Sequence, residues 1–194
     1  NIAVQLSVAT ILAYGEMVLI VSGLLDLSSG AVLALAGVLS VSAYKSTGNL
    51  ALAVAVSIGV AVAFNMINAL FVANFAMPAF IVTLATQMAA RGLALLYTKG
   101  QNILQIGDYA KLGQGSIGPI PIPVIFMIAA TIVIWYIMNH TKLGRSFYAI
   151  GGNEEASIAS GINVAKSKYK AFLINGVLVG IAGVLFMARV NAGL

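Results

Sequence analysis

Glu16 and Arg91 are the residues whose type and setting most demand a chemical explanation, because each interrupts a long apolar run. A lone carboxylate at the centre of a bilayer costs about 2.5–3.5 kcal/mol on insertion scales, so such a group should face protein or water. Arg91 lies twelve residues into its run, about 18 Å along a helix. The two could form an intramembrane ion pair or mark a polar translocation path; alternatively, a helix broken at Gly15 would bring Glu16 to the interface. Asn65 and Asn68 fall on one helix face at i, i+3, and Thr83, Thr86 and Gln87 form a second polar stripe. These five could line a path that hydrogen-bonds a hydroxylated solute, or could join helices at roughly 0.6 kcal/mol per bond. Bond-making chemistry has no residues to work with. The chain has no cysteine, one histidine (His140) and no Gly-x-x-x-x-Gly-Lys-Ser/Thr phosphate loop, so thiol, zinc and P-loop chemistry are excluded.

The elements that must position these residues are membrane helices. Of 194 residues, 61% are hydrophobic and 8% charged, against about 45–50% and 25% in a soluble domain. Disorder is excluded by the apolar content, and ten Lys and Arg dispersed among apolar stretches give nucleic acid no basic face. A span needs about 20 apolar residues. Six segments are candidates: Asn1–Ser22, Gly30–Tyr44, Ala51–Asn74, Ala79–Thr98, Val124–Met138 and Ala171–Val190. The second is short, and crosses only if Leu24–Ser29 extend it; otherwise it is re-entrant. The fold class expected is all-α: a polytopic bundle of about six membrane helices or re-entrant segments, one transmembrane domain over residues 1–194. No signal peptide is evident. The absence of an initiator Met and a stop directly after a span lead us to expect a piece of a longer protein.

Charge sets the orientation. Lys142, Arg145, Lys166, Lys168 and Lys170, half of all basic residues, fall between Asn139 and Lys170, which places the 139–170 loop in the cytoplasm. Lys99–Pro123 should lie outside, and its Ile117-Gly-Pro-Ile-Pro-Ile-Pro123 run is too constrained for helix. Trp135, Tyr136 and His140 suit an interfacial belt at a helix end. Gly176, Gly180 and Gly183 form a small-residue packing face. Asp26-Leu-Ser-Ser-Gly30 reads as an N-cap cluster. In the cytoplasmic loop, Gly151-Gly-Asn-Glu-Glu-Ala-Ser-Ile-Ala-Ser-Gly161 encodes a turn, acids at the start of a short helix, and a glycine stop.

That last segment, with Ser160-Gly-Ile-Asn163, resembles the cytoplasmic loop of membrane permeases of ATP-binding cassette (ABC) importers for ribose, xylose, galactose and related monosaccharides. Gly23-Leu-Leu-Asp-Leu-Ser-Ser-Gly30 is similar to their Gly-Gly-Ile-Asp-Leu-Ser-Val-Gly signature. Pro78-Ala-Phe-Ile-Val-Thr-Leu-Ala-Thr86 through Arg91-Gly92 is similar to their Pro-Pro-Phe-Ile-Val-Thr-Leu-Gly-Thr…Arg-Gly block. Leu24, Leu25, Ser29 and Ala79 depart from these patterns. The likeness covers essentially the whole chain in matching order, and the family carries further spans beyond both ends. It implies a multi-pass subunit of a bacterial inner (plasma) membrane, embedded in the lipid bilayer, that carries no cofactor. A second permease subunit, expected as a homodimer, would complete the pathway, and a periplasmic or lipoprotein sugar-binding protein would deliver the solute. A cytoplasmic ABC ATPase would bind ATP and Mg. Glu154, Glu155, Ala156 and Gly161 would form the helix that couples to it. The competing reading is an ion-coupled secondary transporter using Glu16 and Arg91 as a charge relay.

Overall fold

Apolar runs of this length satisfy their backbone polar groups in a bilayer only as helices. The computed structural model, which describes residues 2–101, 103–104 and 106–193, contains six helices long and apolar enough to cross a membrane. These are α1 (Ile2–Val21), α2 (Ser29–Thr47), α3 (Leu50–Asn74), α4 (Ala79–Thr98), α6 (Ile122–His140) and α9 (Val164–Val190). A four-residue α5 (Lys111–Gln114) precedes α6, while α7 (Lys142–Gly152) and α8 (Glu154–Ala159) lie between α6 and α9. Capping fixes several starts. The side chains of Asn49, Thr141, Asn153 and Asn163 accept from the amides of Leu52, Gly144, Ala156 and Lys166 at 2.9–3.2 Å.

The chain folds back and forth between two ends. At one lie the α1–α2 and α3–α4 turns, α7 and α8; around a cleft of about 440 Å³ there, Gly23, Met77, Gly151, Glu154 and Lys168 come together. At the other, the connection from α4 to α6 folds over the bundle. It includes β1 (Ile103–Leu104), a 3-10 turn at Gly107–Ala110 and a hairpin of β2 (Ser116–Ile117) with β3 (Ile120–Pro121). β1 pairs antiparallel with β4 (Ala192–Gly193), in the register Ile103 to Gly193 and Leu104 to Ala192. Tyr109, fully buried in this cover, sits 2.8 Å from Ser40 Oγ, and Ser40 donates to the Ala53 carbonyl at 2.7 Å. Ser40 has one proton, so the phenol donates to it. Burial pushes the Tyr109 phenol up to about 12, an effect the Ser40 contact partly offsets.

Helix α9 is the axis of the bundle, and the expected small-residue face packs it. A Cβ at Gly180 would stand 2.6 Å from Ile58 Cα of α3, and Ser57 Oγ donates to the Gly180 carbonyl at 2.8 Å. Such close backbone approach is what small residues permit in membrane helices.

Several features differ from the sequence reading. α2 gains length at its far end, through Thr47, and Leu24–Ser28 stay outside it. α9 starts seven residues before Ala171, so Lys166, Lys168 and Lys170 belong to its first turns, and with Asn139 and His140 in α6 only residues 141–163 of the 139–170 loop lie outside long helices. α6 begins at Ile122 with Pro123 in its first turn, where the missing N–H has no intrahelical partner to lose. α7 is unanticipated, and it buries Gly144, Phe147 and Ile150.

Candidate functional site

The Asp26 segment does not cap α2 by a side-chain bond as expected; Ser28 occupies the N-cap position without one. The Asp26 carboxylate, 5% exposed, accepts from the Ser28 amide at 2.7 Å, Ser28 Oγ at 2.5 Å and Asn175 Nδ2 of α9 at 2.8 Å, and Ser29 Oγ lies 3.1 Å away with its one proton turned to the nearer Glu16. With three hydrogen-bond donors and no cation within ion-pair distance among the described residues, charge-assisted hydrogen bonds alone stabilise this acid.

From Asp26 the bonds spread to α3 and α4. Asn175 Nδ2 also lies 3.0 Å from Asn65 Oδ1, while Asn65 Nδ2 donates to the Ala61 carbonyl at 3.0 Å. Asn68 Nδ2 donates to Ser28 Oγ at 3.2 Å, and Thr86 Oγ1 donates to Asn68 Oδ1 at 2.6 Å. Thr83 accepts from the Leu27 amide at 3.2 Å and donates to the Ala79 carbonyl at 2.8 Å. Asn65, Asn68, Thr83 and Asn175 are fully buried and Thr86 nearly so. The two predicted polar stripes thus meet in one knot joining α2, α3, α4 and α9.

Glu16 and Arg91 do not pair. Half-buried Glu16 accepts from Ser29 Oγ at 2.8 Å, at the margin of the knot. Arg91 is exposed and lines, with Gln87, Gly30, Ala34 and Thr98, an open cavity of about 350 Å³ between α2 and α4. The acid already has a hydroxyl partner, and the cation lines the cavity without an ion pair to it. Gln87 is therefore separated from Thr83 and Thr86: it faces the cavity, while they face the interior.

At the basic end, Asn153 closes α7 and caps α8, and Glu154 forms an ion pair with Lys168 of α9 at 2.9 Å. Gly161 takes φ +80°, its amide donating to the Ile158 carbonyl at 2.9 Å and the Ile162 amide to Ser157 at 3.0 Å. This is a Schellman stop, which favours glycine at that place. Glu155, Ala156 and Ile158 are exposed, Ile158 by 59%. The result is a small acidic helix with one apolar side chain facing outward.

Two members of these sites escaped sequence reading. Asn175 was hidden as a single amide beside Gly176 in an apolar run, although a polar residue on the small-residue helix is a signal for an interhelical bond. Its Oδ1 has no hydrogen-bond partner among the described residues and lies against Gly15, where a Cβ would collide with it. Ile158 gave no signal except its place between the acids and the glycine stop.

These features define a polytopic helical membrane protein with an internal polar knot, an open cavity that Gln87 and Arg91 line, and a capped helix at its basic end. The chain belongs to the family described as branched-chain amino acid transport system / permease component, which it matches over residues 1–193. It is 35% identical to the ribose import permease protein of Bacillus subtilis strain 168, over 99% of this chain and 61% of that protein. It is 34% identical to the D-allose transport system permease protein of Escherichia coli K12 (99% and 60%), and 31% identical to the L-arabinose transport system permease protein of the same strain (100% and 59%). The chain therefore spans about 60% of the length of these curated relatives. No solved structure matches it.

Proposed function

We propose that this chain is the core of the permease of an ABC importer for a monosaccharide such as a ribose-like pentose or a hexose, spanning a bacterial plasma membrane. Two permease subunits, a homodimer in the simplest arrangement, enclose the pathway. A periplasmic or lipoprotein sugar-binding protein delivers the sugar, and a cytoplasmic ABC ATPase binds ATP and Mg. The permease itself makes and breaks no covalent bond. The observation that carries this reading is α8: an acidic, capped helix, fastened by Lys168 and presenting Glu155, Ala156 and Ile158 to solvent beside the basic residues. Its acids would align against cations of the ATPase, and Gly161 would end it sharply enough to fit a groove.

Within the bundle, the knot of Asn65, Asn68, Thr83 and Thr86 holds the helices in register, and Gln87 with Arg91 faces the solute. Arg91 offers five N–H donors and Gln87 both donor and acceptor, a set suited to sugar hydroxyls. The relay needed by an ion-coupled transporter has no support in the separate surroundings of Glu16 and Arg91.

The test uses the full-length permease assembled with its ATPase and binding protein in proteoliposomes. Glu154→Arg and Gly161→Pro are each expected to abolish sugar-stimulated ATP hydrolysis while the permease still inserts. ATP-driven uptake that persists with both changes refutes the coupling role, and uptake by permease alone would favour an ion-coupled transporter.

A further inference from the structure

Two of the contacts that fasten the α7–α8 unit to the bundle lead to the same hydrogen bond. At the end of α7, Gly151 lies backbone to backbone against the turn after α1. A Cβ there would fall on the Val21 carbonyl oxygen, 2.9 Å from Val21 C and 3.2 Å from Gly23 N. That turn is stiff: Gly23, at φ +75°, donates its amide to the Ile20 carbonyl at 3.0 Å, and the Leu24 amide donates to Leu19 at 2.9 Å. Three residues further on is Asp26. The second fastening is the Glu154–Lys168 ion pair, and Lys168 precedes Asn175 on α9 by seven residues, about two helical turns on one face. One path ends at the Asp26 carboxylate and the other at the Asn175 amide that donates to it.

The unit is stiff enough to act as a lever. Phe147 is fully buried and Ile150 4% exposed, and Asn153 both ends α7 and caps α8, leaving no flexible linker between them. We propose that the Gly151 contact with Val21–Gly23 is the joint through which displacement of α7 and α8 reaches the Asp26–Asn175 bond, making Gly151 a positioning residue for transport. The proposal rests on the coupling reading of α8. Displacement of the lever pushes the Asp26 turn through one fastening and draws α9 through the other, so it acts on the knot as a shear between α2 and α9, a transition between packed states.

The adjacent glycine supplies the control. A Cβ at Gly152 meets nothing within 4 Å, whereas one at Gly151 meets rigid backbone. In proteoliposomes holding the full-length permease, its ATPase and its binding protein, Gly151→Ala is expected to lower ATP-driven uptake by about tenfold or more. The ATPase still co-purifies and its basal hydrolysis is retained, a split that general misfolding would not give. Gly152→Ala matches the wild type. Equal uptake by the two variants overturns the joint and leaves the coupling reading intact. Loss of ATPase binding in Gly151→Ala also overturns it, since the residue would then act at the docking surface. A wild-type complex without ATP-driven uptake overturns both proposals. If Gly151→Ala fails to accumulate in the membrane, Lys168→Gln cuts the second fastening without a steric conflict; reduced uptake with ATPase still bound supports the lever, and full uptake refutes it.

Discussion

Truncation of Asn175 to alanine tests whether the polar knot stabilises the bundle. The change removes the donor that reaches Asp26 at 2.8 Å and Asn65 at 3.0 Å, while Asp26 keeps the Ser28 amide and hydroxyl as donors. Asn65 Oδ1 loses its one described donor inside the bundle. A lost bond to a charged group amounts to about 1.5–3 kcal/mol in proteins generally, and an orphaned buried acceptor to about 1–3. Interhelical bonds measured in membranes are weaker, about 0.6 on average and about 1.7 at most. The membrane values govern here, because partly unfolded helices also find polar partners in the bilayer. Two such bonds near the upper limit give a loss of about 2–3 kcal/mol, roughly a 30- to 150-fold shift in the folded-to-unfolded ratio. The oxygen removed with the amide has no partner to lose among the described residues. Reversible unfolding of the full-length permease in mixed micelles, titrated with a denaturing detergent, reads this directly. A loss below about 0.6 kcal/mol would refute the reasoning, leaving the knot no stronger than an ordinary polar contact.

Three further outcomes follow from the geometry. Gly180→Ala should destabilise the bundle by about 1–3 kcal/mol through its collision with Ile58, whereas Gly92→Ala, with open space around it, should be neutral or stabilising by up to about 1 kcal/mol; thermal unfolding separates them. Arg91→Gln should raise the KM for sugar uptake by about tenfold with unchanged insertion, and an unaltered KM would remove Arg91 from the solute path. Tyr109, held up to about 12, favours the folded state fully below the ordinary phenol value of about 10 and loses that contribution as pH rises from about 10 to about 12. Unfolding midpoints measured across that window should fall by the equivalent of about 2–3 kcal/mol in the wild type and stay flatter in Tyr109→Phe.

The long helices were legible because a bilayer imposes one length and one composition on every span. Errors arose where charge stood in for structure. Lys166, Lys168 and Lys170 read as loop, yet a helix can continue past the apolar region once its side chains reach water, and α9 does so for two turns. α7 was missed because eleven residues with Lys142 and Arg145 at the start resemble a tether, and only the burial of Phe147 and Ile150 reveals a packed helix. Pairing was the least legible property. Nothing in the spacing of Asn65, Asn68, Thr83 and Thr86 indicates that they converge on Asp26, because the convergence is supplied by the crossing of four helices. Glu16 and Arg91 invited each other by opposite charge, but the fold gives the acid a nearer hydroxyl.

The position of Asn175 also bears on how the bundle is assembled. Helix α9 is synthesised after the other five long helices, so α2 and α3 enter the bilayer with Asp26 and Asn65 lacking the amide that later joins them. That junction is made only when α9 emerges and docks its glycines along α3. Insertion of α9 then supplies the Asn175 amide that joins Asp26 to Asn65.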